Sequence, residues 1–343
     1  MKTTNPTGMN GIACVELSAP TAAGLARMGR LFKALGFSLT HSHATERVDL
    51  YEQHAIRLLV NREPGSFAAR FAAEHGPSVA SLGLWVADEA RAVAAAVERG
   101  ARRYEGPSPF GQAPAIYGVG DSLIHFLDER RDFRLDFNAL ERLARVPDRG
   151  FLVIDHLTNN VEQGTMARWQ RFYQDVLGFT EVRAFDIDGQ KTGLHSYALR
   201  SPCGKFSIPL NEAKDDRSQI AEYLREHRGA GVQHLALASR DLLASLRGLA
   251  EAGVETLDIE DDYYATVFDR VPNVCEDRAA LRELKVLIDG DPEGYLLQIF
   301  TRNVIGPVFF EMIQRENHLS FGEGNFGALF RSIERDQERR GVL

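Results

Sequence analysis

The sequence repeats itself, and that duplication limits the fold more than any other feature. Each half opens on an extended apolar segment, Gly11–Ser18 (GIACVELS) in the first and Phe151–Thr158 (FLVIDHLT) in the second. A stretch with apolar residues at three- and four-residue spacing follows, the period of a helix with one buried face. Both predicted helices stop at Gly-Phe, at Gly36-Phe37 and Gly178-Phe179. Glycine just past the last apolar helical residue is the expected C-terminal stop. The unit then recurs within each half. Ala80–Val86 reads as a strand and Asp88–Arg99 as a helix ending at Gly100, matched by Val232–Ala238, a helix from about Arg240 and a stop at Gly253. Turns at Gly120-Asp121 and Gly290–Gly294 separate the closing strands. Four strand–helix–strands units are therefore expected, two per half. The predicted boundary is the charged, proline-bearing stretch Arg145–Arg149, which sets domains at 1–145 and 150–343.

Length and charge agree with two domains of an ordinary globular protein. The chain has 343 residues and 44% hydrophobic content, enough for a large core, and a net charge of −8. An acidic chain does not suit a phosphate backbone, so nucleic acid is not an expected partner. Residues 1–10 are polar and no apolar run reaches the ~18 residues of a membrane span. Three widely spaced cysteines, Cys14, Cys203 and Cys275, make neither a disulfide framework nor a thiolate metal site. A reducing cytoplasm, with no membrane association, is the expected setting.

The halves differ where chemistry would sit. Superimposing the repeats by their opening segments sets Glu16 against His156 and Gly83 against His234. At these two positions the second half has imidazoles where the first has a carboxylate or no side chain, and imidazole is a common ligand for iron, zinc and copper. Glu311, inside the apolar run Val308–Ile313, is the best third partner, because a buried carboxylate needs a compensating cation. Two histidines and one carboxylate with open positions beside them is the arrangement of non-haem iron(II) oxygenases. Taken singly, each histidine reads equally as a satisfied core residue and Glu311 as an edge residue. The residues alone leave that choice open.

Six segments, in order, resemble the 4-hydroxyphenylpyruvate dioxygenase family of the vicinal-oxygen-chelate superfamily. They are Ile154-Asp155-His156-Leu157, Ile208–Glu212 (IPLNE), Gly231–Ala236 (GVQHLA), Leu296–Phe300 (LLQIF), Phe309–Arg315 (FFEMIQR) and Phe321–Phe326 (FGEGNF). The resemblance implies an α+β fold of tandem βαβββ modules, two open barrels, the first without metal and the second catalytic. It implies an Fe(II) cofactor held by His156, His234 and Glu311, with no catalytic residue beyond this triad. It assigns Ser196, Asn211, Gln219, Gln233, Gln298, Phe300, Phe309 and Phe326 to substrate. It implies conversion of 4-hydroxyphenylpyruvate and O2 to homogentisate in tyrosine and phenylalanine catabolism, by a homo-oligomer. No external 2-oxo acid is needed, because the substrate carries its own. The alternatives are 4-hydroxymandelate synthase and a non-catalytic binding protein on the same scaffold; Phe326, Pro209 and Asn211 favour the homogentisate route.

Strand periodicity tests part of that assignment. Side chains two apart share a face, so Phe309 joins Glu311 and Gln298 joins Phe300. Gln233 precedes His234 and should point away from the metal unless its strand is bulged. The segment Asn325–Arg340 is helical by period, with Phe326, Leu329, Phe330 and Ile333 in one stripe; the resemblance makes it a movable gate. Relatives carry a glycine- and aspartate-rich loop where this chain has Glu316–Ser320, and His318 in it is expected to be a loop residue rather than a ligand. His41, His43, His54, His75, His125, His195 and His227 are expected to be solvated or core residues.

Overall fold

The computed structural model describes residues 4–140, 145–189 and 191–343. The start of the polar N-terminal segment and residues just before the predicted boundary lie outside them. The first half builds strands β1 (Met9–Ser18), β2 (Ser38–His43), β3 (Val48–Gln53), β4 (Ile56–Asn61), β5 (Ser78–Val86), β6 (Arg103–Tyr104), β7 (Ala115–Tyr117), β8 (Leu123–Asp128) and β9 (Phe137–Ala139). The second builds β10 (Phe151–Val161), β11 (Thr180–Asp188), β12 (Gly193–Arg200), β13 (Ser207–Ala213), β14 (Gly231–Ser239), β15 (Leu287–Asp291), β16 (Gly294–Phe300) and β17 (Phe309–Glu316).

The strand orders repeat. The first sheet runs β6-β7-β8-β5-β1-β4-β3-β2-β9, and the second, written in the same sense, β15-β16-β17-β14-β10-β13-β12-β11. Each is two strand–helix–strands units joined side by side through β1–β5 or β10–β14. Three of the four unit helices begin after Thr21, Asp88 and Asp241, whose side chains accept the backbone N–H three residues on, while the helix Met166–Arg171 follows Thr165 without a side-chain cap. The predicted stops at Gly36, Gly100, Gly178 and Gly253 all adopt positive φ.

The register corrects the superposition made from the opening segments. In the first half Ile12 pairs with Leu84, Cys14 with Gly83, Glu16 with Ser81 and Leu17 with Val79. In the second Ile154 pairs with Leu237, His156 with Ala236, Thr158 with His234 and Asn159 with Val232. The true counterpart of His156 is therefore Cys14, not Glu16, and that of His234 is Ser81, not Gly83. Gly83 pairs with His125 as Ala236 pairs with Glu311, so His125 stands where Glu311 does. The two-residue error arose because strand β1 starts before its apolar run does, and an apolar pattern does not mark a strand's first residue.

Both pairings also skip a residue at three corresponding places, and the two nearest the ligand positions matter for the site. There Ala13 and Ala80 are the extra residues of the first half, Asp155 and Gln233 those of the second. These are β-bulges, which turn a side chain out of the ordinary alternation.

The halves pack closely. Gln53 in β3 accepts the backbone N–H groups of Arg149 and Phe151 at 2.9 and 3.3 Å, clasping the boundary segment to the first sheet. His75 and His227 stack across the junction with ring centroids 4.6 Å apart. Gly120, at φ 60°, lies so close to Ala230 that any Cβ would strike its carbonyl. One apolar core runs through both halves, from Phe32 and Phe126 to Phe151 and Phe310. No helix among the described residues is long and apolar enough to cross a membrane.

Candidate metal centre and substrate pocket

Strands β10, β14 and β17 lie side by side, and their register brings one ligand-type residue from each to a single face. His156 and Glu311 flank Ala236 in one row, and His234 lies two residues earlier on the same face of the middle strand. A methyl group between them lets the two longer side chains lean together. His156 Nε2 is 3.1 Å from Glu311 Oε2, His234 Nε2 is 3.4 Å from the same oxygen, and the two Nε2 atoms are 3.4 Å apart. All three residues are buried, at 3, 8 and 3% exposure.

The two bulges explain why both imidazoles present Nε2. His156 Nδ1 donates to Asp155 at 2.8 Å, and His234 Nδ1 donates to Gln233 Oε1 at 3.0 Å. Each partner is the bulge residue just before its histidine. Fixing the Nδ1 proton leaves Nε2 to face the ligand position. Gln233 thus shares the pocket with its neighbour His234, which strict alternation would forbid.

Burial alone would raise the Glu311 carboxyl, but His156 and His234 outweigh it and hold it near 2. Burial would likewise depress His156, yet Glu311 and Asp155 lift it to about 9. His234 is lowered, chiefly by burial. Burial works against an ionised Asp155 too, but Arg315 and His156 hold its carboxyl below the ordinary range. A proton on His156 thus serves as the local cation that buried Glu311 demands. A divalent metal ligated by two imidazoles and a carboxylate fits the same place, since these ligand atoms all lie within 4.8 Å of one another.

The triad opens into a cavity. Its lining includes every residue that the resemblance assigned to substrate: Ser196, Asn211, Gln219, Gln233, Gln298, Phe300, Phe309 and Phe326. Phe309 stacks on the His234 ring at 4.8 Å, and Phe326 meets Phe185 edge-on at 5.4 Å. The helix Phe326–Arg339 closes the cavity with Phe326, Leu329, Phe330 and Ile333. Polar contacts hold it there. Glu222 accepts from Gln337 Nε2 at 2.9 Å and from Arg340, while Glu334 caps Lys191 and Thr192 at 3.0 Å each. Gly322, at φ 78°, precedes the helix and touches Gln298 so closely that a Cβ would displace that amide.

Sequence reasoning passed over Thr158, whose hydroxyl lies 3.0 Å from His234 Nε2. It also gave no role to Asp155 and Arg315. His318 lies outside the triad, bonded to Ser320 and near Asp291. His125 is buried in the first half.

Comparison with known proteins places this architecture. A profile described as hydroxyphenylpyruvate dioxygenase, N-terminal, matches residues 3–138, and one for the glyoxalase/bleomycin resistance protein/dioxygenase superfamily matches 153–299. The chain is 44% identical over 347 residues to a 4-hydroxyphenylpyruvate dioxygenase of Pseudomonas aeruginosa, covering 99% of this chain and 97% of that protein. It belongs to the 4-hydroxyphenylpyruvate dioxygenase family. Another relative, protein MelA of Shewanella colwelliana, is 50% identical with 99% of both chains covered. Among solved structures, a triple mutant of 4-hydroxymandelate synthase from Streptomyces coelicolor superposes with a TM-score of 0.83 at 28% identity, covering 96% of this chain and 99% of that one. Membership makes the chain a dioxygenase of the non-haem type, and the His156, His234 and Glu311 cluster is its candidate metal centre.

Proposed function

We propose that this chain is a 4-hydroxyphenylpyruvate dioxygenase that holds iron(II) at His156, His234 and Glu311 and forms homogentisate, a step of tyrosine and phenylalanine catabolism. One observation carries the reading: a buried two-histidine, one-carboxylate cluster opens directly onto an aromatic-walled, polar-ended cavity. Three protein ligands leave adjacent positions for a bidentate 2-oxo acid and dioxygen. When bound, iron(II) supplies the redox chemistry by which dioxygen decarboxylates the 2-oxo acid and hydroxylates the ring. One oxygen atom ends in the acetate carboxyl and one in the ring hydroxyl, and CO2 leaves. No separate 2-oxo acid or reductant is consumed.

The chain's own residues bind, orient and exclude water. Phe300, Phe309 and Phe326 offer aromatic faces for the substrate ring. Ser196, Asn211, Gln219, Gln233 and Gln298 supply the donors and acceptors that a phenol buried from water requires. With the 2-oxo acid arm at the triad, the ring lies under the helix Phe326–Arg339, whose apolar stripe keeps water from the reacting carbons. Asp155 and Gln233 keep both imidazoles oriented.

The test is anaerobic loading with iron(II), addition of 4-hydroxyphenylpyruvate, then oxygen and chromatography of the products. Homogentisate and CO2 in equal amounts are expected. Predominant 4-hydroxymandelate would move the chain to the synthase reading. Absence of turnover with iron bound would make it a binding protein.

A further inference from the structure

Arg315 closes β17 with its guanidinium fully engaged. Its Nε and Nη2 donate to the two carboxylate oxygens of Asp155, each at 2.8 Å. Its Nη1 donates to two backbone carbonyls of the following turn, Ser320 at 2.6 Å and His318 at 3.1 Å. Asp155 in turn accepts from His156 Nδ1. The turn bears on the same ligand a second way, for the Phe321 ring meets the His156 ring edge-on at 5.7 Å and lies 6.0 Å from the Arg315 guanidinium. The Glu316–Ser320 turn is thus wrapped around an arginine that is tied to a candidate metal ligand. Within the turn, Ser320 Oγ bonds His318 Nδ1 at 2.8 Å.

Resting on the proposed metal centre, we infer that Arg315 is a positioning residue coupling metal occupancy to the conformation of the 316–322 turn, at the base of the closing helix. A bidentate guanidinium fixes the plane of Asp155, and Asp155 fixes the plane and proton of His156. The two N–H groups of Nη1 read the carbonyls of the folded turn. If the turn opens, Arg315 loses two acceptors, and the fork that fixes Asp155, and through it His156, is held less firmly. Conversely, a metal that holds His156 in place holds Asp155 and Arg315, and through them the turn. Such coupling is reciprocal, the same factor appearing at both ends.

The probe is cobalt(II) added to the purified, metal-free full chain, followed by its visible absorption and by backbone hydrogen exchange over residues 316–326. In the wild type, saturating cobalt(II) should slow exchange of the turn on the order of tenfold. In Arg315→Gln and Asp155→Asn the cobalt(II) Kd should rise about 10–100-fold, and the metal should no longer slow exchange in the turn. Arg315→Lys keeps the charge and loses the fork, so it should bind cobalt(II) better than Arg315→Gln yet still leave the turn unprotected. Wild-type exchange that is the same with and without bound cobalt(II) overturns the coupling, whatever the variants do. Wild-type affinity in a folded Arg315→Gln protein overturns it too. No cobalt(II) binding to the wild type removes the metal centre itself, and the coupling falls with it.

Discussion

The two halves are the same fold with opposite interiors, and their register shows how little separates a packed barrel from a reactive one. Val48, Leu50 and Leu59 line the first sheet at the positions that Ser196, Ala198 and Pro209 occupy in the second. In the first half these chains join Cys14, Phe110, Leu127 and Phe137 in a closed apolar cluster. In the second half the smaller residues leave the cavity. Cys14, Ser81 and His125 stand where the triad stands, and the bulges carry Ala13 and Ala80 where the second half has Asp155 and Gln233. Among its described residues the first half keeps one buried carboxylate, Glu16, but Ser81 and Asn61 bond it at 2.6 and 2.7 Å, and burial raises its pKa. A site therefore needs room, ligands and partners to orient them. The first half has the backbone for all three, but Val48, Leu50 and Leu59 fill the room and Ala13 and Ala80 have no polar atom with which to orient a ligand.

The sharpest test of this contrast is to substitute the two residues at one register position. Glu311→Gln is expected to abolish turnover and metal retention, measured by product formation and metal analysis. His125→Gln should leave both unchanged, at a stability cost of ~0.5–3 kcal/mol. Loss of turnover in the His125 variant without unfolding would break the comparison.

A second test uses protons. His156 in the metal-free protein titrates near 9, so below that pH a metal must displace its proton. Metal affinity should rise about tenfold per pH unit between roughly 6.5 and 9, flattening above. The same shift stabilises the metal-free fold below the unfolded value of ~6.5 and is lost as pH rises through 9. Affinity independent of pH across that window would show that His156 is neutral already.

The first half should respond in the opposite direction. Burial lowers His125 to about 3. Its Nε2 has no hydrogen-bond partner among the described residues. Unfolded chains take up the proton near 6.5 and the folded protein does not, so acid favours unfolding, by up to about 1.4 kcal/mol per pH unit between 6.5 and 3. Urea midpoints from pH 7 to 4 should fall more steeply in wild type than in His125→Gln.

The smallest effect concerns Phe326. Phe326→Ile removes an aromatic face worth roughly 0.5–1.5 kcal/mol, so the product ratio should shift toward 4-hydroxymandelate or uncoupled products by up to about tenfold. An unchanged ratio in chromatography removes Phe326 from ring placement and leaves the metal centre untouched.

What the sequence revealed and what it hid divide along physical lines. The helices, their glycine stops and the repeated strand–helix–strands unit follow from local period and glycine placement, and these were legible. Register was not, because an apolar run does not say where pairing begins; hence Glu16 was set against His156. The bulge at Gln233 appeared only as a conflict between adjacency and shared facing. The Asp155–Arg315 pair joins residues 160 positions apart, beyond any local pattern, and the polar pocket residues were named through family resemblance rather than through spacing.

One consequence of the ligand placement concerns the chain as a polymer. The three ligands lie on separate strands, His234 78 positions and Glu311 155 positions after His156. A bound ion is therefore a reversible cross-link that closes two long loops at once, and each would be costly in entropy to close unaided. A one-residue slip of β17 would offer Phe310 or Met312 in place of Glu311. Metal retention thus doubles as a proof that three distant strands have found their correct alignment.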